Sequence, residues 1–587
     1  MQGGQEMKWS KQLHTKLTGL THAITRFPLT TLFLLAAVIN NAYQISIEQD
    51  NVKLLLTFIL GAFLSAVAQA AYERFYSKHS TQWVLNAIAV ILAAGYYLLI
   101  KPSPSLSTEI EIRTVVALFA LLWAFVWVPV IKSPISFNKS FMIAFKSLFN
   151  SLFFAAIIFG GISIILAAFS QLILTIDHTA YAHTANLVFI LFAPLYFLSL
   201  IPIYPDAKEE EIAQTAHCPK FLAILLSYIL IPLVTVFTLI LVIYIVKNIG
   251  GEFWSDNLLE PMLVSYAITV ILLYILVSEL DNRLTHLFRK IFPKILVPIV
   301  LFQIASSVIS LGDTGVTHTR YYVILFGIFA AISGILFSLL PVRKNGIIAA
   351  LLIVFAAISI VPPVDAFTIS RNSQISTLKK VLLKNHMLEG NQITPKASVP
   401  EQDQKVITNT VEYLTRMEYT KDIKWFPKSF DLYNDFYQTF GFEEYQDEGK
   451  KNQSIYLNME SSTPINITGY DRFMELELYP AGKDGEEGMG DFEKAGKTYS
   501  LIKTTKGNQT ELTLLGENNQ ELTHFDTQEI YDKFGHRNAN KENISADDAT
   551  FTKENSRAKL TIVVQNVSIE KPSNQNNAGV YVFIKIK

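Results

Sequence analysis

From Phe27 to Val364 the chain is a series of long apolar runs separated by short polar loops. A helix crossing roughly 30 Å of hydrocarbon takes about 20 apolar residues. Eleven runs reach that length within tolerance and hold no Asp, Glu, Lys or Arg: Phe27–Ile47, Leu54–Tyr72, Trp83–Ile100, Thr114–Ile131, Ser147–Leu174, Ala185–Ile203, Phe221–Val246, Pro261–Ser278, Ile295–Gly312, Tyr321–Val342 and Asn345–Val364. They are continuously apolar, where a barrel strand would alternate over about ten residues. The pattern therefore predicts an all-α membrane bundle of about eleven spanning helices.

Past Val364 the periodicity changes. Ile375, Leu378, Val381 and Leu382 fit a short helix, 385–395 a turn, and Pro400 the start of a second helix with Val406, Ile407, Val411 and Leu414 on one face. A third helix is expected to carry Phe430, Tyr433, Phe436 and Phe440. From Ser454 apolar and polar positions alternate: SIYLNME, INITGYDRFMELELY, KTYSLIKTT, TELTLLG, KLTIVVQNVSIE and GVYVFIKIK read as strands, with PAGKDGEEGMG and HRNANKENISADD as loops. The tail is thus expected to be a soluble α+β domain, mostly antiparallel sheet. Four regions follow: 1–26, an N-terminus with an interfacial amphipathic helix (Trp9, Leu13, Leu17, Leu20 and Ile24 at helical spacing); 27–364, the spans; 365–445, a helical linker region; 446–587, the β-rich domain.

Finer features of the spans carry expectations of their own. Residues 137–146 suggest that the fifth helix begins along the membrane surface and then turns in. Gly160-Gly161 suit close packing or a bend. Pro194, Pro202, Pro232 and Pro298 are candidate helix breaks. Asn40, Asn41, Gln44, Gln69, Asn86, Asn150, Gln171, Asn186 and Gln303 are expected to hydrogen-bond between helices.

Charge sets the orientation. With the N-terminus cytoplasmic, the inner loops carry seventeen Lys and Arg, and the outer ones only Lys53, Lys101, Arg113, Lys247 and Arg320. An odd number of spans then places the C-terminal part outside the cell membrane. The net charge of −1 gives no reason to expect a nucleic-acid partner. Cys218 is the one cysteine and falls in an inner loop, so the exported part must hold together without disulfides. The first run is full length and shows no cleavage site, so no removable signal peptide is expected.

Several stretches together resemble a known family. Arg26-Phe27-Pro28-Leu29 opens the first span, and Asp313-Thr314-Gly315-Val316-Thr317-His318-Thr319-Arg320-Tyr321 opens the tenth. Asp365-Ala366-Phe367, Ser370, Ser373-Gln374 and Leu378 leave the last span, followed by Leu388-Glu389-Gly390-Asn391 and Pro395. Their order and spacing resemble the bacterial membrane family called domain of unknown function 4153, whose pattern carries an aromatic residue where this chain has Thr314. The resemblance implies a bacterial inner-membrane protein and supplies no catalytic residues or cofactor.

The sequence itself holds no Walker loop, HExxH or Gly-x-Ser-x-Gly, and no cofactor is expected. Polar candidates gather at outer span ends. Asp177, His178 and His183 carry imidazole and carboxylate groups that suit zinc, at a spacing that fits no standard site; the readings are ordinary loop polarity, a substrate contact or a metal. Asp313, Thr317, His318 and Arg320 form the second cluster. Arg320 sits at a helix start, where the dipole disfavours a cation; it is expected to pair with Asp313 or to meet an anionic lipid or cell-wall component. In the tail, Asp471, Glu475 and Glu477 read as solvated strand positions, and Trp425, Tyr433, Tyr437 and Phe440 as core. The expected role is binding, sensing or scaffolding through the external domain. The alternatives are an enzyme acting on a lipid-linked substrate, with Glu48 and Asp50 on its first outer loop, and a transporter.

Overall fold

The computed structural model describes residues 19–47, 51–103, 106–205, 207–248, 259–309, 311–390, 392–428, 430–445, 454–459, 464–479, 485–506, 509–535, 543–570 and 576–587. The chain forms two compact units, residues 1–443 and 444–587.

In the first unit, eleven helices among the described residues are long and apolar enough to cross a membrane: α1 Pro28–Ile47, α2 Val52–Phe75, α3 His79–Ile100, α4 Thr108–Val130, α5 Phe137–Leu172, α6 Thr179–Ser199, α7 Lys220–Lys247, α8 Glu260–Val277, α9 Arg283–Ile309, α10 His318–Leu339 and α11 Val342–Ile360. Of the stretch before them, residues 19–26 are helical and the chain bends at Phe27; the expected interfacial helix otherwise lies outside the described residues. Helices α1–α6 and α7–α11 pack mainly within their own groups, and α11 on α4 and α8 on α5 join the two. Three further helices cap one end: α12 Ala366–Lys384, α13 Glu401–Arg416 and α14 Leu432–Phe440. The expected turn at 385–395 is a small hairpin pairing Leu388 with Ile393.

Amides and hydroxyls tie the spans together. Asn41 donates to Asn186 at 3.0 Å, joining α1 to α6, and Gln82 donates to Gln69 at 2.9 Å, joining α3 to α2. Thr30 and Ser65 share a hydrogen bond of 2.8 Å between α1 and α2. Gln303 donates to the Val323 carbonyl at 3.3 Å, joining α9 to α10. In hydrocarbon no water is present to satisfy such groups, and these bonds cross to a neighbouring helix, whereas Gln44 Nε2 and Gln303 Oε1 are buried with no hydrogen-bond partner among the described residues.

Several helical details differ from expectation. The fifth helix is one unbroken element of 36 residues, with no separate surface segment. A Cβ at Gly160 or Gly161 would meet nothing within 4 Å, so this pair makes no close contact. Close approach occurs instead at Gly334 of α10, where a Cβ would stand 3.0 Å from the Pro293 carbonyl oxygen and 2.9 Å from Val297 of α9. Pro298 lies inside continuous α9. Pro194 and Pro232 follow π-helical segments, Asn186–Phe192 and Leu225–Leu230. A proline ring excludes the carbonyl four residues back, and a wide π turn moves that carbonyl away without breaking the helix.

The second unit is built on two sheets, with strands β1 Ser454–Met459, β2 Arg472–Leu478, β3 Gly485–Lys494, β4 Lys497–Lys506, β5 Gln509–Leu515, β6 Glu521–Asp526, β7 Asn543–Ile544, β8 Thr550–Glu554, β9 Ala558–Glu570 and β10 Asn577–Ile586. One sheet runs β2-β10-β9-β1-β7 with β8 also on β9; the other runs β3-β4-β5-β6. Among the described residues, only β1 with β7 is parallel. Buried Ile562, Val564, Val580, Val582 and Phe525 fill the core, together with Ile530 and Phe534 from the short helix α15, Gln528–Phe534. The glycine-rich stretch expected as a loop is strand β3 from Gly485 onward, because pairing with β4 over Gly485–Lys494 overrides its low strand propensity. Asp471 is more than a solvated strand position. It accepts from Lys494 and from the Ile586 amide, both at 2.7 Å, so it joins β3 to the edge of the other sheet.

Candidate functional site

Two polar clusters in the first unit stand at opposite ends of the span bundle. The proximal one lies where α1 begins. Arg26 grips Glu73 at the end of α2 with two hydrogen bonds, Nε to Oε1 at 2.8 Å and Nη2 to Oε2 at 2.7 Å. It also donates to the Ile201 carbonyl at 2.6 Å and the Pro202 carbonyl at 3.2 Å, just past α6. Gln69 donates to Glu73 at 3.0 Å. A planar guanidinium matches a carboxylate in this forked geometry, and the remaining donors cap carbonyls that a helix end leaves open. Arg26 therefore holds the ends of α1, α2 and α6 together.

The distal cluster is larger and is built from helix starts. Ser107 caps α4 by accepting from the Ile110 amide, and Glu109 and Glu111 occupy the first turn, where the helix dipole favours acids. Glu109 pairs with Arg113 four residues on, at 2.8 Å. Arg113 reaches out of α4 to Asp365 at 2.7 Å, and it also donates to the Ile360 carbonyl at the end of α11. Asp365 caps α12, accepting from the amides of Phe367 at 3.0 Å and Thr368 at 3.1 Å. Its side chain is 0% exposed. Burial alone would push this carboxyl up. The Thr368 and Phe367 hydrogen bonds and the Arg113 charge outweigh it and hold the group below the usual carboxylate range.

The α10 start completes the cluster. Thr317 caps α10 by accepting from the Arg320 amide at 3.3 Å, and Arg320 itself donates to Thr314 at 2.5 Å. The turn before it is gripped by α12: Gln374 donates to the Thr314 carbonyl at 2.8 Å and to the Val316 carbonyl at 3.2 Å, and the Val316 amide donates to Ser373 at 2.9 Å. Gly315 has φ +68°, and a Cβ there would stand 2.7 Å from the Thr377 hydroxyl, so glycine is required twice over. The His318 ring lies over Phe367, with centroids 5.8 Å apart, and its Nδ1 and backbone amide both meet the Tyr413 hydroxyl, at 2.9 and 3.1 Å. Tyr419 donates to Glu109 at 3.0 Å. Burial and the Glu109 carboxylate push the Tyr419 phenol well above its ordinary range, and burial raises Tyr413 too, so both stay protonated.

Two of the stretches that carried the family resemblance meet here: the turn 313–321 and the segment from Asp365 through Gln374 are one joint, while Arg26 belongs to the proximal cluster. Thr317, His318 and Arg320 are in it. The Asp313 side chain lies outside the described residues, as do Glu48 and Asp50. His183 stands elsewhere, 3.3 Å from Ser46 of α1, and His178 precedes α6, beside Asp177, which accepts from the Thr179 amide at 2.8 Å. Among the described residues no three His, Cys, Asp or Glu gather as a metal site. Of the tail aromatics, Phe440 is fully buried and Tyr437 is 57% exposed, which places Tyr437 outside the core; the Tyr433 side chain is outside the described residues. Glu109, Arg113, Asp365, Tyr413 and Tyr419 were not singled out as site residues from sequence. The usable signals were the Glu109–Arg113 spacing of four and an outer-loop cation in Arg113.

Eleven span-length apolar helices among the described residues, tied at both ends by partly buried polar joints, define a polytopic helical membrane protein. The chain belongs to the family described as Domain of unknown function (DUF4153), which it matches over residues 29–397. No curated protein and no solved structure matches it.

Proposed function

We propose that this is a multi-pass protein of the bacterial cell envelope, with the proximal face cytoplasmic and the helical cap and C-terminal unit extracytoplasmic. It binds, senses or scaffolds at the cell surface through that external part. The observation that supports this reading best is the distal joint. Buried Asp365 pairs with the partly exposed Arg113 and ties α4 to α12 while Tyr413 and Tyr419 of the cap hold α10 and α4. With Asp365 held ionised and both tyrosines held protonated, the joint suits rigid mounting of the cap on the spans better than proton transfer. The cation bias of the loops supports the orientation. An anionic lipid headgroup or wall polymer is the ligand class we favour, approaching the distal face near Thr317, His318 and Arg320, where Arg416 is exposed.

Cys218 is the one cysteine in the chain, so Cys218→Ser gives a thiol-free background. A Lys585→Cys variant in that background is expected to react with a membrane-impermeant maleimide on intact cells. Labelling only after the cells are opened would remove the orientation and with it the surface role.

A further inference from the structure

We propose that the first unit holds one acyl chain of a bilayer phospholipid in a cavity that runs from the proximal ends of the spans to mid-membrane depth. The cavity measures about 750 Å³ and is walled by α1, α2, α4, α5, α6, α8, α10 and α11, at the meeting of the two helix groups. It is about five times the roughly 150 Å³ apolar void that stays dry and accepts a benzene-sized guest, and it falls in the range of small-molecule sites. Ile59 of α2, Phe119 of α4, Leu152 of α5, Phe189 of α6 and Leu352 of α11 all line it, and each lies well inside its own span. The surroundings at that depth are hydrocarbon.

Its chemistry selects the occupant. Thr30 and Ser151 are the only lining residues with a side-chain hydroxyl, and both are engaged: Thr30 with Ser65 at 2.8 Å, Ser151 with the Leu148 carbonyl at 2.9 Å. A water molecule needs two to four polar partners and finds none left over. An ion or polar solute would lose its hydration with nothing in return. The walls are also accessible from the lipid side. Phe119 is 44% exposed, Leu152 47%, Phe189 40% and Ile268 42%, and only 6% of the apolar window of α5 is buried. A hydrocarbon chain entering past α5 would trade bilayer contacts for a wall that includes Trp123, Phe141 and Phe145 and would fill a space that close-packed interiors do not tolerate empty.

Trp123 lines the cavity and is 7% exposed, whereas Trp83 of α3 is 69% exposed. The test uses two full-length variants, each keeping one of these tryptophans with the other five changed to Phe, in vesicles of phosphatidylcholine brominated on its acyl chains. The expected result is that Trp123 loses as much emission as Trp83, and that adding Ala144→Phe, which projects into the cavity, restores Trp123 but not Trp83. Quenching of Trp83 with Trp123 untouched overturns the proposal, whether or not the Ala144→Phe chain folds. Native mass spectrometry of the unaltered protein from its own membrane gives the second arm. A retained phospholipid supports the assignment, and a retained polyprenyl lipid, or none, contradicts it.

Discussion

Asp365 concentrates the physics of the distal joint. It is buried, caps α12 and neutralises Arg113. Removing one partner of a buried pair leaves the other charge without compensation, typically at about 3–5 kcal/mol. Arg113 is 23% exposed and keeps its pair with Glu109, so part of this is recovered; the expected loss for Asp365→Asn is about 2 kcal/mol, read as a lower melting temperature in detergent. The pH dependence has a definite sign. A carboxyl whose folded pKa is depressed contributes stability above its unfolded value near 3.9, and loses it as pH falls through the folded value. The wild-type protein is therefore expected to lose stability more steeply than Asp365→Asn in scans taken below about pH 4. Half of this joint was legible in the sequence: the turn 313–321 and the segment from Asp365 announced themselves by their residues. The other half was not, because Arg113 meets Asp365 across 252 residues and Tyr419 meets Glu109 across 310, and no local pattern encodes such a pairing.

At the scale of elements, the spans were readable because hydrocarbon imposes both length and composition. What escaped was decided by neighbours. Strand β3 has the composition of a loop and is a strand because β4 lies beside it. Helix α9 runs through two prolines, and Gly334 rather than Gly160 marks the tight crossing. That contrast is testable. Gly334→Ala forces a methyl against the Pro293 carbonyl, and overpacking of this kind costs about 1–3 kcal/mol. Gly160→Ala meets open space in the middle of a helix and is expected to be neutral or to stabilise by up to about 1 kcal/mol. Thermal unfolding of the two variants side by side checks the order; equal losses would contradict this account of the α9–α10 crossing. The long fifth helix, at 1.5 Å per residue, reaches about 54 Å, well past the roughly 30 Å of hydrocarbon.

For the whole molecule, the second unit has its own core in Ile562, Val564, Val580, Val582 and Phe525, spread over both sheets. Residues 444–587 are expected to fold alone as a soluble protein with one cooperative unfolding transition, followed by circular dichroism and a dispersed amide spectrum. A collapsed, undispersed spectrum would show that it depends on the rest of the chain. The family match ends at residue 397, yet the joint it encloses is finished by Tyr413 and Tyr419, which lie beyond it. A shortened form cut at the family boundary would strip two phenols from Glu109 and His318 and open the apolar underside of α12 to water. The smallest self-sufficient piece of this protein that includes the spans is therefore longer than its family signature and extends through about Glu443.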